Sequence, residues 1–368
     1  MKRPLLLVEA LAVRNDSGLG KLVRMFVEGL RGLSDQSEIL VVIPKETNFK
    51  PGSHCQLIRV NSRPMRLWTQ FAFPYLIQKL RPEGVLCLGW TIPVLRPKAK
   101  YGLLIADVGP LENLGFAMSS HDPANAKWLR RMPVKADLIL TNAEITRERM
   151  VSLLGIDSEK IKVVRPINRI GISNPKLSQS GSTPNGPYFL AIGNVEPRKN
   201  FHGLIAAYAK LKRKHDNTPP LYIAGHKAWG YAQAQEAAHQ HGVMDAVFFT
   251  GYLSDSNRNA YLANCSLFIS SSLYEGWGLP LFEALVLEKP AIYHKGSSQE
   301  EFARGFALAT DCGDPVQLAA AMELLWLNTE ENQKLREVIR TQFPMVLDYD
   351  LEGALKAAVL PLISKAST

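Results

Sequence analysis

Two successive series of short apolar runs, each alternating with helical patterns, constrain the fold of this chain more than any other feature. The first comprises Leu5 to Val8, Ile39 to Ile43, Val85 to Leu88, Leu103 to Ile105, Leu138 to Leu140 and Val163 to Val164, with helical patterns such as Leu19 to Leu33 between runs. The second comprises Phe189 to Ile192, Leu221 to Ala224, Val247 to Thr250, Leu267 to Ser270 and Ala291 to Tyr293. Such runs read as strands, and strands that alternate with helices form parallel sheets covered on both faces. Between the series, Ser173 to Pro187 is crowded with Ser, Asn, Gly and Pro and reads as a linker. At 368 residues the chain exceeds the size at which single cores stop growing. The expectation is an α/β protein of two doubly wound domains, residues 1–180 and 186–345, followed by an amphipathic helix from Leu351 to Ile363. In such sheets ligands bind beyond the carboxyl ends of the strands, and two such domains facing each other would form a cleft there.

The stretch richest in chemistry is Tyr274-Glu275-Gly276-Trp277-Gly278-Leu279-Pro280-Leu281-Phe282-Glu283. It follows an apolar run from Cys265 to Ile269, so Ser270 to Gly278 reads as the exit loop of a strand, and Leu279 opens a helix with Pro280 in its first turn. Glu275 then lies on the loop, and Glu283 projects from near the helix start. Backbone N–H groups around Trp277 and Gly278, with the positive end of the helix dipole, would attract a diphosphate. Carboxylates accept hydrogen bonds from vicinal hydroxyls, which sugars offer. Upstream, Arg198 and Lys199 follow the strand Phe189 to Ile192 through the turn Gly193 to Asn200. A forked guanidinium beside a point charge suits different oxygens of one diphosphate. Asn15-Asp16-Ser17-Gly18-Leu19-Gly20 follows the first strand, where Gly18 and Gly20 would let backbone approach a phosphate or sugar. Val23 stands where a dinucleotide fingerprint would want a third glycine, which argues against a dehydrogenase.

These motifs, in this order, resemble those of the retaining glycosyltransferases of family four, which have the two-domain GT-B fold of Rossmann-like halves. The Glu275 to Glu283 run is similar to the family's Glu-x7-Glu signature, and Gly193 to Asn200 to its Gly...Arg-Lys-Asn segment. Leu221 to Gly225, Val247 to Leu253, and Ala136 to Ala143 with Lys160 to Val164 resemble further family segments. The likeness is weak over the first 130 residues and strong from Tyr188 to Pro290. It implies that Glu283 holds ribose hydroxyls and Glu275 a hydroxyl of the donor sugar, that Tyr252 and Leu253 line the base, and that Gly276, Trp277, Gly278 and Leu279 contact the donor. It also implies that the C-terminal helix, about 346–368, packs back on the first domain. Two departures stand out. Ala106 precedes Asp107 where many members carry a histidine, leaving Asp107 either a sugar contact or a helix cap. Ser297 to Glu301 lacks the proline usual before the family's glutamate.

The resemblance implies transfer of a hexose, with GDP-mannose the best guess, from a nucleotide-diphosphate sugar to a glycan or lipid-linked acceptor in bacterial polysaccharide or lipopolysaccharide assembly. An epimerase of the same fold and a non-catalytic sugar-nucleotide-binding scaffold are the alternatives. No metal and no cofactor are expected: Asp348-Tyr349-Asp350 spells Asp-x-Asp but lies beyond the second series and reads as a helix start, so Arg198 and Lys199 would carry the leaving group's charge.

Cys55, Cys87, Cys265 and Cys312 are too widely spaced for zinc or redox pairs. Glu9, Arg14 and Asp16 interrupt the apolar start, which reads as a buried strand instead of a signal peptide, and no apolar segment reaches spanning length. A cytoplasmic protein, either free or peripheral on the cytoplasmic face of the inner membrane, is the expectation. Lys and Arg outnumber Asp and Glu by 12 in residues 1–180, whereas the remainder carries a net charge of −3. This asymmetry suits anionic lipid on the cytoplasmic face of the inner membrane, and no nucleic-acid-binding pattern accompanies it. Arg59, Arg63 and Arg66, interleaved with Met65, Leu67, Trp68, Phe71, Phe73 and Tyr75, read equally as a membrane-resting segment or as a core helix with a basic edge.

Overall fold

The computed structural model describes residues 3–14, 18–89, 91–112, 122–167 and 183–364. They divide into two compact units: residues 3–112, 122–167 and 350–364 in the first, and 183–349 in the second. The expected glycine approach at Asn15 to Ser17, and most of the expected linker, lie outside the described residues.

The first unit is built on seven parallel strands. In chain order they are β1 (Leu5–Glu9), β2 (Glu38–Pro44), β3 (Gln56–Val60), β4 (Gly84–Cys87), β5 (Lys100–Leu104), β6 (Leu138–Thr141) and β7 (Ile161–Val163). They lie in the order β3-β2-β1-β4-β5-β6-β7. The central strands are apolar and buried along nearly their whole length, as strands covered by helices on both faces must be. The edge strand β3 is half-exposed, and its mixed sequence Gln56-Leu57-Ile58-Arg59-Val60 gives no continuous apolar run, so it is absent from the sequence reading.

One glycine pair shows how the sheet is covered. A Cβ at Gly102 would lie 2.7 Å from Leu362 Cδ1, and one at Gly84 would lie 3.0 Å from Leu362 Cβ. Glycine in these strands therefore admits the helix Leu351–Ile363, which buries Leu355, Val359 and Leu362 against the first unit. Lys100 Nζ donates to the carbonyls of Pro361 and Ser364, both at 2.8 Å. Asp350 Oδ1 accepts from Gly353 N at 2.8 Å and caps that helix, the role read for the Asp-x-Asp spelling.

The second unit carries six parallel strands: β8 (Phe189–Ile192), β9 (Leu221–Ala224), β10 (Val247–Gly251), β11 (Leu267–Ser270), β12 (Ala291–His294) and β13 (Leu308–Thr310), in the order β10-β9-β8-β11-β12-β13. Its core joins Phe189, Ile223, Ile269 and Ile292 of the sheet to Leu204, Tyr208, Leu318 and Met322 of the helices. Among the described residues no helix is long and apolar enough to cross a membrane.

Candidate functional site

In the second unit the strand order reverses between β8 and β11, and a crevice opens beyond the carboxyl ends of strands at such a reversal. The turn after β8 carries Arg198 and Lys199; the loop after β11 carries Glu275. Two glycines let the strand exits approach. A Cβ at Gly225 would lie 2.0 Å from the Gly193 carbonyl oxygen, and a Cβ at Gly193 would lie 2.8 Å from Lys199 Cε. Gly193 thus serves the site from within, by leaving room for the lysine stem. The helical turn Pro197–Lys199 ends at Asn200, whose φ of 54° breaks the turn before the helix Phe201–Lys214, and whose Nδ2 donates to the Cys312 carbonyl at 2.6 Å.

The two loops meet in a buried charge cluster. Arg198 Nε donates to Glu196 Oε2 at 2.8 Å and its Nη1 to Glu275 Oε2 at 3.1 Å, while Lys199 Nζ donates to Glu275 Oε1. Backbone contacts brace the pair: Leu273 N donates to the Arg198 carbonyl at 2.9 Å, Ser271 Oγ to the Lys199 carbonyl at 2.7 Å, and Ser298 Oγ to the Glu275 carbonyl at 2.8 Å. Ser298 belongs to the segment that departs from the family's proline, and here its hydroxyl steadies the Glu275 loop. Burial works against the Glu275 charge, but Lys199 and Arg198 overcome it and hold the carboxyl down at about 2. Burial presses the Lys199 pKa below its ordinary value, with Glu275 opposing. Glu275 is therefore ionised at neutral pH, an acceptor of hydrogen bonds and no proton donor. A carboxylate offers about four lone-pair positions, so sites for hydroxyls remain beside its two cations.

Glu275 leads through Gly276 and Trp277 to Gly278, whose φ of 98° turns the chain into the helix Leu279–Val286. Gln299 packs under this turn, its Nε2 where a Gly278 side chain would sit. Among the described residues nothing accepts from the backbone N–H of Gly276, Trp277 or Gly278, and the buried indole Nε1 of Trp277 is also without a partner. Glu283, the fifth residue of the helix, is buried and paired with Arg258. Arg258 also lies within electrostatic reach of Tyr252. A register shift at the end of β10 and a φ of 71° at Gly251 turn the chain toward Tyr252, whose exposed ring stacks on His226 at 4.7 Å. Leu253 follows it, partly buried.

The structure thus brings together Gly193, Arg198, Lys199 and Glu275, and separately links Glu283 to Arg258 and Tyr252. Three members were not read from the sequence: Glu196, Ser298 and Arg258. Glu196 lies in the turn Gly193 to Asn200, and its spacing of two from Arg198 was the available signal; Arg258 gave none. Gly18, Gly20 and Asp107 belong to the first unit. Gly18 opens the helix Gly18–Gly29, and a Cβ there would meet nothing within 4 Å, so packing within the chain does not require glycine at this position. Gly20 is buried within that helix. Asp107 Oδ1 accepts from Gly109 N at 3.2 Å beside buried Ala106, a local turn just ahead of the short helical turn Gly109–Leu111, whose N-cap position is Val108.

Comparison with known proteins adds a family to this geometry. The glycosyl transferases group 1 family matches residues 174–342. O-antigen chain mannosyltransferase B of Escherichia coli is 26% identical over 191 residues, half of each chain. The chain spans about half the length of that curated relative. Sucrose-phosphate synthase from Thermosynechococcus elongatus superposes with a TM-score of 0.73 at 16% identity, covering 98% of both chains. Anabaena HepE, solved in complex with UDP and glucose, gives a TM-score of 0.68 at 16% identity over 98% of this chain and 99% of its own. These structural likenesses establish the α/β GT-B fold. The likeness to the glycosyl transferases group 1 family is thus carried by the second unit, where the residues matched lie.

Proposed function

We propose that the protein is a retaining glycosyltransferase that moves a hexose from a nucleotide-diphosphate sugar to a glycan or lipid-linked acceptor in bacterial surface polysaccharide assembly. The buried Arg198–Lys199–Glu275 cluster at the strand-order reversal carries this reading. As the bond to the anomeric carbon breaks, negative charge grows on the departing diphosphate. Arg198 and Lys199 are fixed cations beside a helix start, already oriented by Glu196 and Glu275, and need little reorganisation to meet that charge. In this reading they do so without a resident metal or cofactor. Glu275, ionised and acceptor-only, takes a hydroxyl of the donor hexose. Glu283, held by Arg258, takes the ribose diol, and Tyr252 and Leu253 flank the base. Gly276, Trp277, Gly278 and Leu279 present backbone to the diphosphate. Asp107, Gly18 and Gly20 of the first unit contact sugar or acceptor.

GDP-mannose is the favoured donor because relatives named as mannosyltransferases are 26% and 28% identical over 191 and 153 residues. HepE, with UDP, supports a nucleotide-sugar donor more broadly. The basic first unit suits peripheral contact with the anionic cytoplasmic face of the inner membrane.

Thermal unfolding with GDP-, UDP-, ADP- and dTDP-hexoses tests the donor. Saturating GDP-mannose is expected to raise the melting temperature, since a ligand bound by the folded state stabilises it, and Arg198→Ala is expected to abolish the shift. If no nucleotide sugar moves the transition, the donor assignment fails. NMR of the product linkage then decides retention.

A further inference from the structure

We propose that one exposed ridge of the first unit, formed by Leu67, Phe71 and Tyr75 with Val94 and Leu95 beside it, inserts into the surface of an anionic bilayer. It deepens the peripheral contact above by naming the element. As a means of reaching a lipid-linked acceptor it rests on the transferase reading, although the surface itself does not.

The helical stretch begins with Met65–Leu67, continues through a π-helical turn at Trp68–Ala72 and ends with Phe73–Leu80. The sequence left two readings open for it, and the structure shows both faces. Trp68 and Phe73 are buried, stacked at 5.0 Å, and anchor the segment to the core. Leu67, Phe71 and Tyr75 are 56%, 66% and 69% exposed. They recur every fourth residue, and the wider turn at Trp68–Ala72 offsets the drift that this spacing shows in an α-helix, keeping them on one side. Gln70 Oε1 accepts from Val94 N at 2.9 Å, which sets exposed Val94 and Leu95 against the same stretch. Large apolar side chains grouped in water mark a contact surface.

Charge decides the occupant. Residues 47–106 hold nine Lys or Arg and a single acid, Glu83, whose carboxylate is already engaged by Leu5 N at 2.7 Å. Arg63, Lys79, Arg96 and Lys98 are exposed within this window. Arg96 also donates to the Lys135 carbonyl at 2.5 Å, which ties the segment after Leu95 to the rest of the first unit. Exposed aromatic and aliphatic side chains on a stretch of chain rich in exposed cations and poor in acids match a surface of acyl chains beneath anionic headgroups. A neutral glycan would find hydrogen-bonding partners scarce there.

The full chain, sedimented with vesicles, gives the test. With phosphatidylcholine containing phosphatidylglycerol at about 0.15 M salt the protein should pellet, and with phosphatidylcholine alone it should stay in solution. The triple variant Leu67→Ser/Phe71→Ser/Tyr75→Ser should lower the bound fraction at least tenfold while leaving the melting temperature unchanged. Arg63→Ala/Lys98→Ala should weaken binding to the anionic vesicles. The inference is overturned if the triple variant pellets like wild type, if both vesicle types bind alike, or if the triple substitution instead dissolves a dimer seen by size exclusion. A chain that binds vesicles but no nucleotide sugar would fail as a transferase and keep this surface; the opposite outcome would do the reverse.

Discussion

Glu275 is the residue on which the local electrostatics turn. Replacing it with Gln leaves Lys199 buried beside Arg198 with no carboxylate between them, and a buried pair broken on one side costs about 3–5 kcal/mol. Urea unfolding of Glu275→Gln should show a loss of that size. Because Lys199 and Glu275 share one contact, Glu275→Gln/Lys199→Met should lose less than the two single variants together. The folded pKa of about 2 lies below the ordinary 4.5, so the carboxylate's stabilisation is present above pH 4.5 and fades as pH falls toward 2. Stability measured from pH 5 downward should fall less steeply in Glu275→Gln than in wild type. The residues of this cluster were legible where the chain spells them side by side, as in Arg198-Lys199. Their partnership was not, because Lys199 and Glu275 stand 76 positions apart and only the strand order joins them. The Arg258 to Glu283 pair was hidden for the same reason: a lone arginine in the polar helix Asp255–Asn264 has no pattern that marks its target.

At the scale of elements, the exits of β8 and β9 are packed so closely that one methyl group decides them. Ala at 225 would press on the Gly193 carbonyl and adopt a φ of 150°, so the turn bearing Arg198 and Lys199 would shift. At Gly242, with a φ of 69° and nothing within 4 Å, Ala should cost only about 1 kcal/mol of backbone strain. Gly225→Ala should exceed it clearly in denaturant unfolding and should also abolish nucleotide-sugar protection. The strands of both sheets were readable wherever helices cover both faces, since burial then demands an unbroken apolar run. The edges escaped. β3 mixes exposed and partly buried positions without a period of two, and β13 has three residues, too few for any period to show. The helix Leu279–Val286 was placed correctly because Gly278 and Pro280 mark its start by their own backbone requirements.

For the whole molecule, the division of the chain is uneven: among the described residues the second unit is the single stretch 183–349, whereas the first takes back residues 350–364 after it. Leu355 is fully buried in the returning segment, where its Cδ1 would lie 2.5 Å from a Cβ at Gly29. Leu355→Asp would place a charge there without a partner, and calorimetry should show the first unit melting several degrees lower. The transition of the second unit, which the proposed donor would raise, should stay in place.

The returning helix also sets an order of events on the ribosome. While the chain is being made, the sheet that begins at Leu5 waits with Gly84 and Gly102 uncovered until Leu362 has been translated. The half encoded later can complete its core first. A nascent chain halted near Tyr349 would therefore carry a finished second half and an unfinished first half, which chaperones would be expected to hold.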